Sequence, residues 1–262
     1  MKVSHLVVNG CSCSKGVGLL SHEVSWPEIL ADKLNLPLVN IAVGGSGNPA
    51  IHRRNMEYFH LNLQHANNPL VLNVWSQYWR EEVWRVDRLG YSPLSRMHKE
   101  TRIFWPLEVK SVFKARADNL DPEEDYYDKA FFLNWDDKHH YIRTLTAKLS
   151  TIALLERHNY RYLNFDYFND MELYQPLLAK LEPWYKSMTD QYFNNDQNIV
   201  GDLNSMVEHL PKASDRNHAG QEAQYVIANY IYDVIIKIYT MVQHDPKPFA
   251  KLQDYIGLKI NY

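Results

Sequence analysis

The sequence predicts a three-layer α/β/α fold around a mostly parallel, flavodoxin-like sheet with helical insertions. Three observations predict it. Short apolar, β-type runs recur at Val3–Val8, Leu36–Val43 and Leu70–Trp75. Each run stops abruptly at Gly, Asn or Ser, and helical patterns separate one run from the next. A strand, a small-residue tip and a helix in repetition describe parallel strands joined by crossover helices, with all the tips along one edge.

The first run ends in Asn9-Gly10-Cys11-Ser12-Cys13-Ser14-Lys15-Gly16. In open α/β sheets the carboxyl ends of the strands gather ligands and catalytic groups, which makes Ser12 a candidate nucleophile. Next, Ser25-Trp26-Pro27-Glu28 has the spacing of a capping box with proline in the first turn, so a helix should run to about Leu34. Leu36–Val43 reads as a second buried strand tipped by Gly44-Gly45-Ser46-Gly47, after which Asn48 can cap and Pro49 can open a helix reaching about His65. Leu70–Trp75 is the third strand, tipped by Ser76-Gln77.

From residue 80 to about residue 137 the rhythm is lost in a segment dense in aromatic and charged residues, where short helices should form a lid or subdomain. A periodic helix from about Lys138 to His158 carries Leu145, Leu149, Ile152 and Leu155 on one stripe and feeds a fourth strand, Tyr160–Phe165, tipped by Asp166. Residues 167–210 read as a second, mainly helical insertion around Leu173–Phe193. Asp215-Arg216-Asn217-His218-Ala219-Gly220 then leads into a long apolar-striped helix through Met241. The 262 residues, 45% of them apolar, suit one domain with two insertions.

Composition narrows the partners. A net charge of −3 gives no electrostatic reason to expect nucleic acid or an anionic membrane. No window approaches the roughly 18 apolar residues of a membrane span, and the N-terminus lacks the basic and apolar regions of a signal peptide, so a cytoplasmic protein is expected. The only cysteines, Cys11 and Cys13, cannot supply a four-ligand zinc site, and a disulfide between them would be badly strained. They are expected to be reduced residues packing beside Ser12, and no metal or cofactor is expected. The 18 Tyr and 7 Trp suit stacking surfaces as well as an ordinary core.

A serine nucleophile needs a base within hydrogen-bond reach and a third group that fixes the tautomer of the base. Asp215 and His218 offer that pair, since in Asp-x-x-His on a tight loop the carboxylate can reach one imidazole nitrogen and leave the other for Ser12. The spacing recurs at Asp136-x-x-His139 and Asp137-x-x-His140. Position favours Asp215 and His218, which follow the last sheet element.

The order of Gly-x-Ser near the N-terminus, an Asn-containing second strand with a Gly-rich tip, a polar third tip and a late Asp-x-x-His resembles the SGNH (GDSL-type) hydrolase superfamily. The resemblance implies that Ser12 attacks an acyl ester, His218 acts as base and then acid, and Asp215 orients His218. The family's Asn-x-x-x-x-Gly block falls on Asn40 and Gly45, placing the Gly45 amide in an oxyanion hole with that of Ser12. Gly10-Cys11-Ser12 replaces Gly-Asp-Ser, and Gln77 stands where the family's oxyanion-binding Asn is expected. Gln carries the same amide donor on a stem one methylene longer, while a Gln that only ends the strand is the plainer reading. Divergent members, phage-encoded ones among them, carry such altered blocks.

The implied activity is a serine esterase removing an O-acyl, acetyl-like group from a carbohydrate or a small ester. The changes in the first and third blocks also fit a catalytically silent binding or structural module, such as a virion or glycan-binding component. A phosphate-binding protein built on Gly44-Gly45-Ser46-Gly47 ranks last, because neither a P-loop Lys-Ser/Thr nor a full G-x-G-x-x-G is present.

Overall fold

The computed structural model describes residues 3–61, 68–78, 80, 82–85, 90–93, 137–168, 183–193 and 198–244. Its centre is a five-stranded sheet in the order β2-β1-β3-β6-β7, with every neighbouring pair parallel. The strands are β1 (Leu6–Asn9), β2 (Leu38–Asn40), β3 (Leu70–Trp75), β6 (Arg161–Asp166) and β7 (Asn198–Asp202). The order is the flavodoxin-like one. Its topological switch point lies between β1 and β3, the strands whose tips carry Ser12 and Gln77.

Two apolar layers follow from alternation along the strands. Leu6, Val8, Leu70, Leu72, Val74, Leu163 and Phe165 face helices α2 (Trp26–Leu34) and α6 (Gln221–His244). Val7, Val71, Trp75 and Tyr162 face α3 (Asn48–Leu61) and α4 (Asp137–Arg157), against which α5 (Pro183–Phe193) also packs. The expected stripe on α4 docks as read, with Leu145, Ile152 and Leu155 buried and Leu149 packed at the margin. At the start of α2 the Glu28 carboxylate accepts from the Ser25 N–H at 2.9 Å and the Ser25 hydroxyl at 2.5 Å. The capping box read from the sequence is therefore made.

The second layer contains a buried polar row. Asn9, Asn73 and Asn164 occupy one register across β1, β3 and β6, and all are fully buried. Asn73 Nδ2 donates to Asn164 Oδ1 at 3.1 Å, Asn55 Nδ2 donates to Asn73 Oδ1 at 2.9 Å, and Asn9 Nδ2 donates to the Ile51 carbonyl at 2.8 Å. A strand slipped by one residue would leave these amides unpaired in an apolar layer, so the row fixes register as the apolar pattern alone cannot.

Several expectations are corrected. β2 spans three residues rather than eight and is half-buried, because it is an edge strand with a neighbour on one side only. α3 is described as far as Leu61, and the rest of its expected reach to about His65 lies outside the described residues. In the segment 80–137, where short helices were expected, the described residues include an antiparallel pair, β4 (Glu82–Arg85) with β5 (Gly90–Pro93), and most of the rest lies outside the described residues. The second insertion holds α5 as expected, but it also holds β7, a strand the sequence reading missed. Asn-Ile-Val-Gly-Asp is short, contains glycine and shows no alternation, so it carries little strand signal. Helix α4 packs on the sheet with His140 buried. No helix among the described residues is long and apolar enough to cross a membrane.

Candidate active site

Ser12 opens α1 (Ser12–Lys15), a single turn directly beyond β1, and is 8% exposed. Gly16 ends the turn in the left-handed region at φ 76°. The chain then passes Gly18 at φ 89°, where a Cβ would lie 2.7 Å from Asp215 Cγ and 2.8 Å from both carboxylate oxygens. Only glycine allows the backbone to lie this close to the Asp215 carboxylate. The Gly18 carbonyl also accepts from the Ser214 N–H at 3.1 Å and the Ser214 hydroxyl at 2.7 Å. The segment following Ser12 is thereby latched to the loop that carries Asp215 and His218.

That loop is closed on itself. Lys212 and Ala219 form an antiparallel bridge, the Ala213 N–H donates to the His218 carbonyl at 2.9 Å, and Arg216 takes a left-handed conformation at φ 57°. Asp215 Oδ1 accepts from the Asn217 N–H at 2.9 Å and the His218 N–H at 3.0 Å, while Oδ2 is hydrogen-bonded to His218 Nδ1. Partial burial pushes the Asp215 carboxyl up, but the backbone N–H groups of His218 and Asn217, with the imidazole, outweigh it and hold the carboxyl below its ordinary value. Asp215 is thus an anion with its Oδ2 bonded to Nδ1, which leaves Nε2 without a hydrogen-bond partner among the described residues.

On the other side of Ser12 stands the loop after β2. A Cβ on Gly44 would meet Ser12 Cβ at 3.9 Å and Val17 Cγ2 at 3.3 Å, and Gly45 follows at φ 78°. Asn40 holds this loop against α1, donating to the Ser14 carbonyl at 2.9 Å and accepting from the Ala42 N–H at 3.0 Å. Ser46 Oγ donates to the Val43 carbonyl and accepts from Arg54, each at 2.6 Å. Cys11 and Cys13 are free thiols buried beside Ser12. The hydrogen bond with Cys11, reinforced by burial, pushes the Cys13 thiol well up, so it stays protonated and unreactive.

Gln77 lies at the tip of β3, half-buried, and its Oε1 is enclosed with no hydrogen-bond partner among the described residues. A Gln that ended the strand by accepting from backbone N–H groups would have that oxygen bonded. The structure therefore brings Asp215 to His218, Gly18 to Asp215 and Gly44 to Ser12; no hydrogen bond joins Ser12 Oγ to His218 Nε2 among the described residues. Of the two other Asp-x-x-His matches, Asp136 lies outside the described residues, His139 is exposed and His140 is buried in the α4 interface. Among the described residues no group of three or more His, Cys, Asp or Glu could hold a metal ion.

Sequence reasoning missed Gly18 and Asn48. Asn48 was read as a helix cap, but its side chain bonds the backbone of Ser76 instead. No signal along the chain points to either contact, because each partner is distant in sequence.

No family model matches the sequence, and no curated protein matches it. Solved structures do. The chain is similar to esterases and lipolytic proteins. A psychrotrophic esterase from Pseudoalteromonas sp. shares 14% identity over 90% of this chain and 99% of its own, with a TM-score of 0.45. A member of the lipolytic protein G-D-S-L family from Veillonella parvula shares 9% over 87% and 95%, with a TM-score of 0.42. An acetyl xylan esterase from the rumen bacterium Butyrivibrio proteoclasticus shares 11% over 92% of this chain and 65% of its own, with a TM-score of 0.46.

Proposed function

We propose that this chain is a divergent SGNH-type serine esterase that removes an O-acyl, acetyl-like group from a carbohydrate or a small ester. The observation that carries the reading is the hydrogen-bonded Asp215–His218 pair, on a loop latched through Gly18 to the segment that begins at Ser12. Ser12 Oγ attacks the ester carbonyl as His218 Nε2 takes its proton, and Asp215 stabilises the imidazolium that forms. The N–H groups of Ser12 and Gly45, with the Gln77 side-chain amide, receive the negative charge that develops on the carbonyl oxygen. The tetrahedral intermediate collapses with cleavage of the ester C–O bond, and His218 returns the proton to the departing alkoxide. Water, activated by the same histidine, then releases the carboxylic acid and restores Ser12. The small exposure of Ser12, with Gly44 against its Cβ, favours a short acyl group.

A binding module without turnover is the rival reading, favoured by Cys11 in the first block and by the lack of a Ser12–His218 hydrogen bond among the described residues. Turnover of an activated acetyl ester separates the two. The parent protein should hydrolyse it, and Ser12→Ala and His218→Ala should each lose about three orders of magnitude or more, with the double variant little worse. Equal turnover by Ser12→Ala and the parent, or no turnover by either, would remove the esterase reading.

A further inference from the structure

Asn48 has no role in the mechanism above, yet it occupies an unusual place. β1 lies between β2 and β3, so the chain leaving β2 crosses the tip of β1, where Ser12 sits, on its way to α3. Asn48 is the first residue of α3 and is fully buried. Its Oδ1 accepts from the Ser76 N–H at 2.8 Å, and its Nδ2 donates to the Ser76 carbonyl at 2.9 Å. This is the pairing that another strand would have given Ser76, supplied here by one side chain.

The same amide reaches further. Nδ2 lies 3.4 Å from Thr144 Oγ1, and that hydroxyl donates to the Tyr78 carbonyl at 3.3 Å. Gln77 therefore stands between two residues whose backbones are fixed from a single point, while its own side-chain oxygen makes no hydrogen bond among the described residues. Helix capping does not explain the choice of residue, because the Asn48 amide is spent on Ser76. Ser76 presents one donor and one acceptor, and only a carboxamide offers both complements on one short stem.

We propose that Asn48 is a positioning residue that, with Thr144, fixes the backbone from which the Gln77 amide reaches the oxyanion. The inference rests on the esterase reading, since the placement of Gln77 bears on rate only if Gln77 donates to the reacting oxygen. The clamp ties the tip of β3 to the first residue of α3 on either side of the Ser76 peptide. A displacement of about 1 Å at such a donor costs up to about 10²-fold in rate.

The test is a kinetic cycle on an activated acetyl ester, with thermal midpoints measured on the same samples. Gln77→Ala should lower kcat about 10²-fold with KM nearly unchanged. Asn48→Ala and Asn48→Asp should lower kcat by about tenfold or more, again with little change in KM, and Thr144→Val should cause a smaller loss of the same kind. Placed on Gln77→Ala, Asn48→Ala should lower kcat by less than about twofold further, although its loss in thermal midpoint is the same in both backgrounds. A structural role alone moves the midpoint and cannot produce that cancellation in kcat. Parental kcat in folded Asn48→Asp and Thr144→Val, or an equal kcat loss from Asn48→Ala in both backgrounds, would overturn the proposal while leaving Gln77 in the site. Parental kcat in Gln77→Ala would remove Gln77 itself and the proposal with it. Should Asn48→Ala not fold, Thr144→Val carries the same cycle.

Discussion

Two aspartates mark the carboxyl edge of this sheet, each bonded to a basic side chain, and their surroundings separate them. Asp166 ends β6 and accepts from Lys148 Nζ at 2.5 Å, with side-chain exposures of 16% and 4%. The Lys148 ammonium lies 4.5 Å from the centre of the Tyr192 ring, and the Tyr192 hydroxyl donates to Asp166 at 3.4 Å. Burial pushes the Tyr192 hydroxyl well up, and burial pushes that of nearby Tyr141 to about 12 despite its hydrogen bond to Thr189, so both stay neutral donors. Asp215 is instead 30% exposed and His218 24%, and the carboxylate is held mostly by backbone N–H groups of its own loop. A charge pair closed off by aromatic rings holds α4, α5 and β6 together. A pair open to solvent with a spare ring nitrogen can accept a proton from a neighbour and return it.

The comparison predicts opposite consequences for similar substitutions. Lys148→Met leaves the Asp166 carboxylate largely buried without its cation, which should cost about 3 kcal/mol or more of stability, read from the denaturation midpoint. The kcat of the molecules that remain folded should stay near the parental value. A Lys148→Met protein as stable as the parent would mean that the pair is not the fastening described here. Asp215→Asn should do the reverse, lowering kcat by roughly a hundredfold because the wrong tautomer of His218 is no longer excluded, with little change in stability. Unchanged activity in Asp215→Asn would place the pair outside the chemistry.

A smaller effect follows from the depressed carboxyl of Asp215. A group whose folded value lies below its unfolded one stabilises the protein above the unfolded value of about 3.9 and loses that contribution as pH falls through the folded value. The gap in thermal midpoint between the parent and Asp215→Asn should therefore be slight but constant from about pH 7 to 5, and it should close as the solution is acidified below about pH 4. A gap that widened on acidification would contradict the hydrogen-bond pattern at Asp215.

How far the molecule was legible in its sequence depended on how local the deciding interactions were. The Ser25–Glu28 box and the stripe on α4 are set by neighbours three or four residues apart, and both were read correctly. The Asp215–His218 bond is of the same kind and was anticipated. β7 gains its place from pairing with β6 rather than from its own composition, and the β4–β5 pair interrupts a segment whose length had pointed to short helices. The contacts that set the site, Gly18 on Asp215 and Asn48 on Ser76, span 197 and 28 residues. A single sequence carries no trace of such pairs until the sheet brings them to one edge.

Covalent labelling tests the central claim most directly. A fluorophosphonate is attacked by an activated serine as an ester carbonyl is, and the adduct can be placed on a residue by mass spectrometry. The account predicts an adduct on Ser12 in the parent protein, with His218→Ala slowing labelling by orders of magnitude and Lys148→Met labelling like the parent wherever it is folded. Absence of an adduct at Ser12 under conditions that label a known serine esterase, or labelling of His218→Ala at the parental rate, would contradict it.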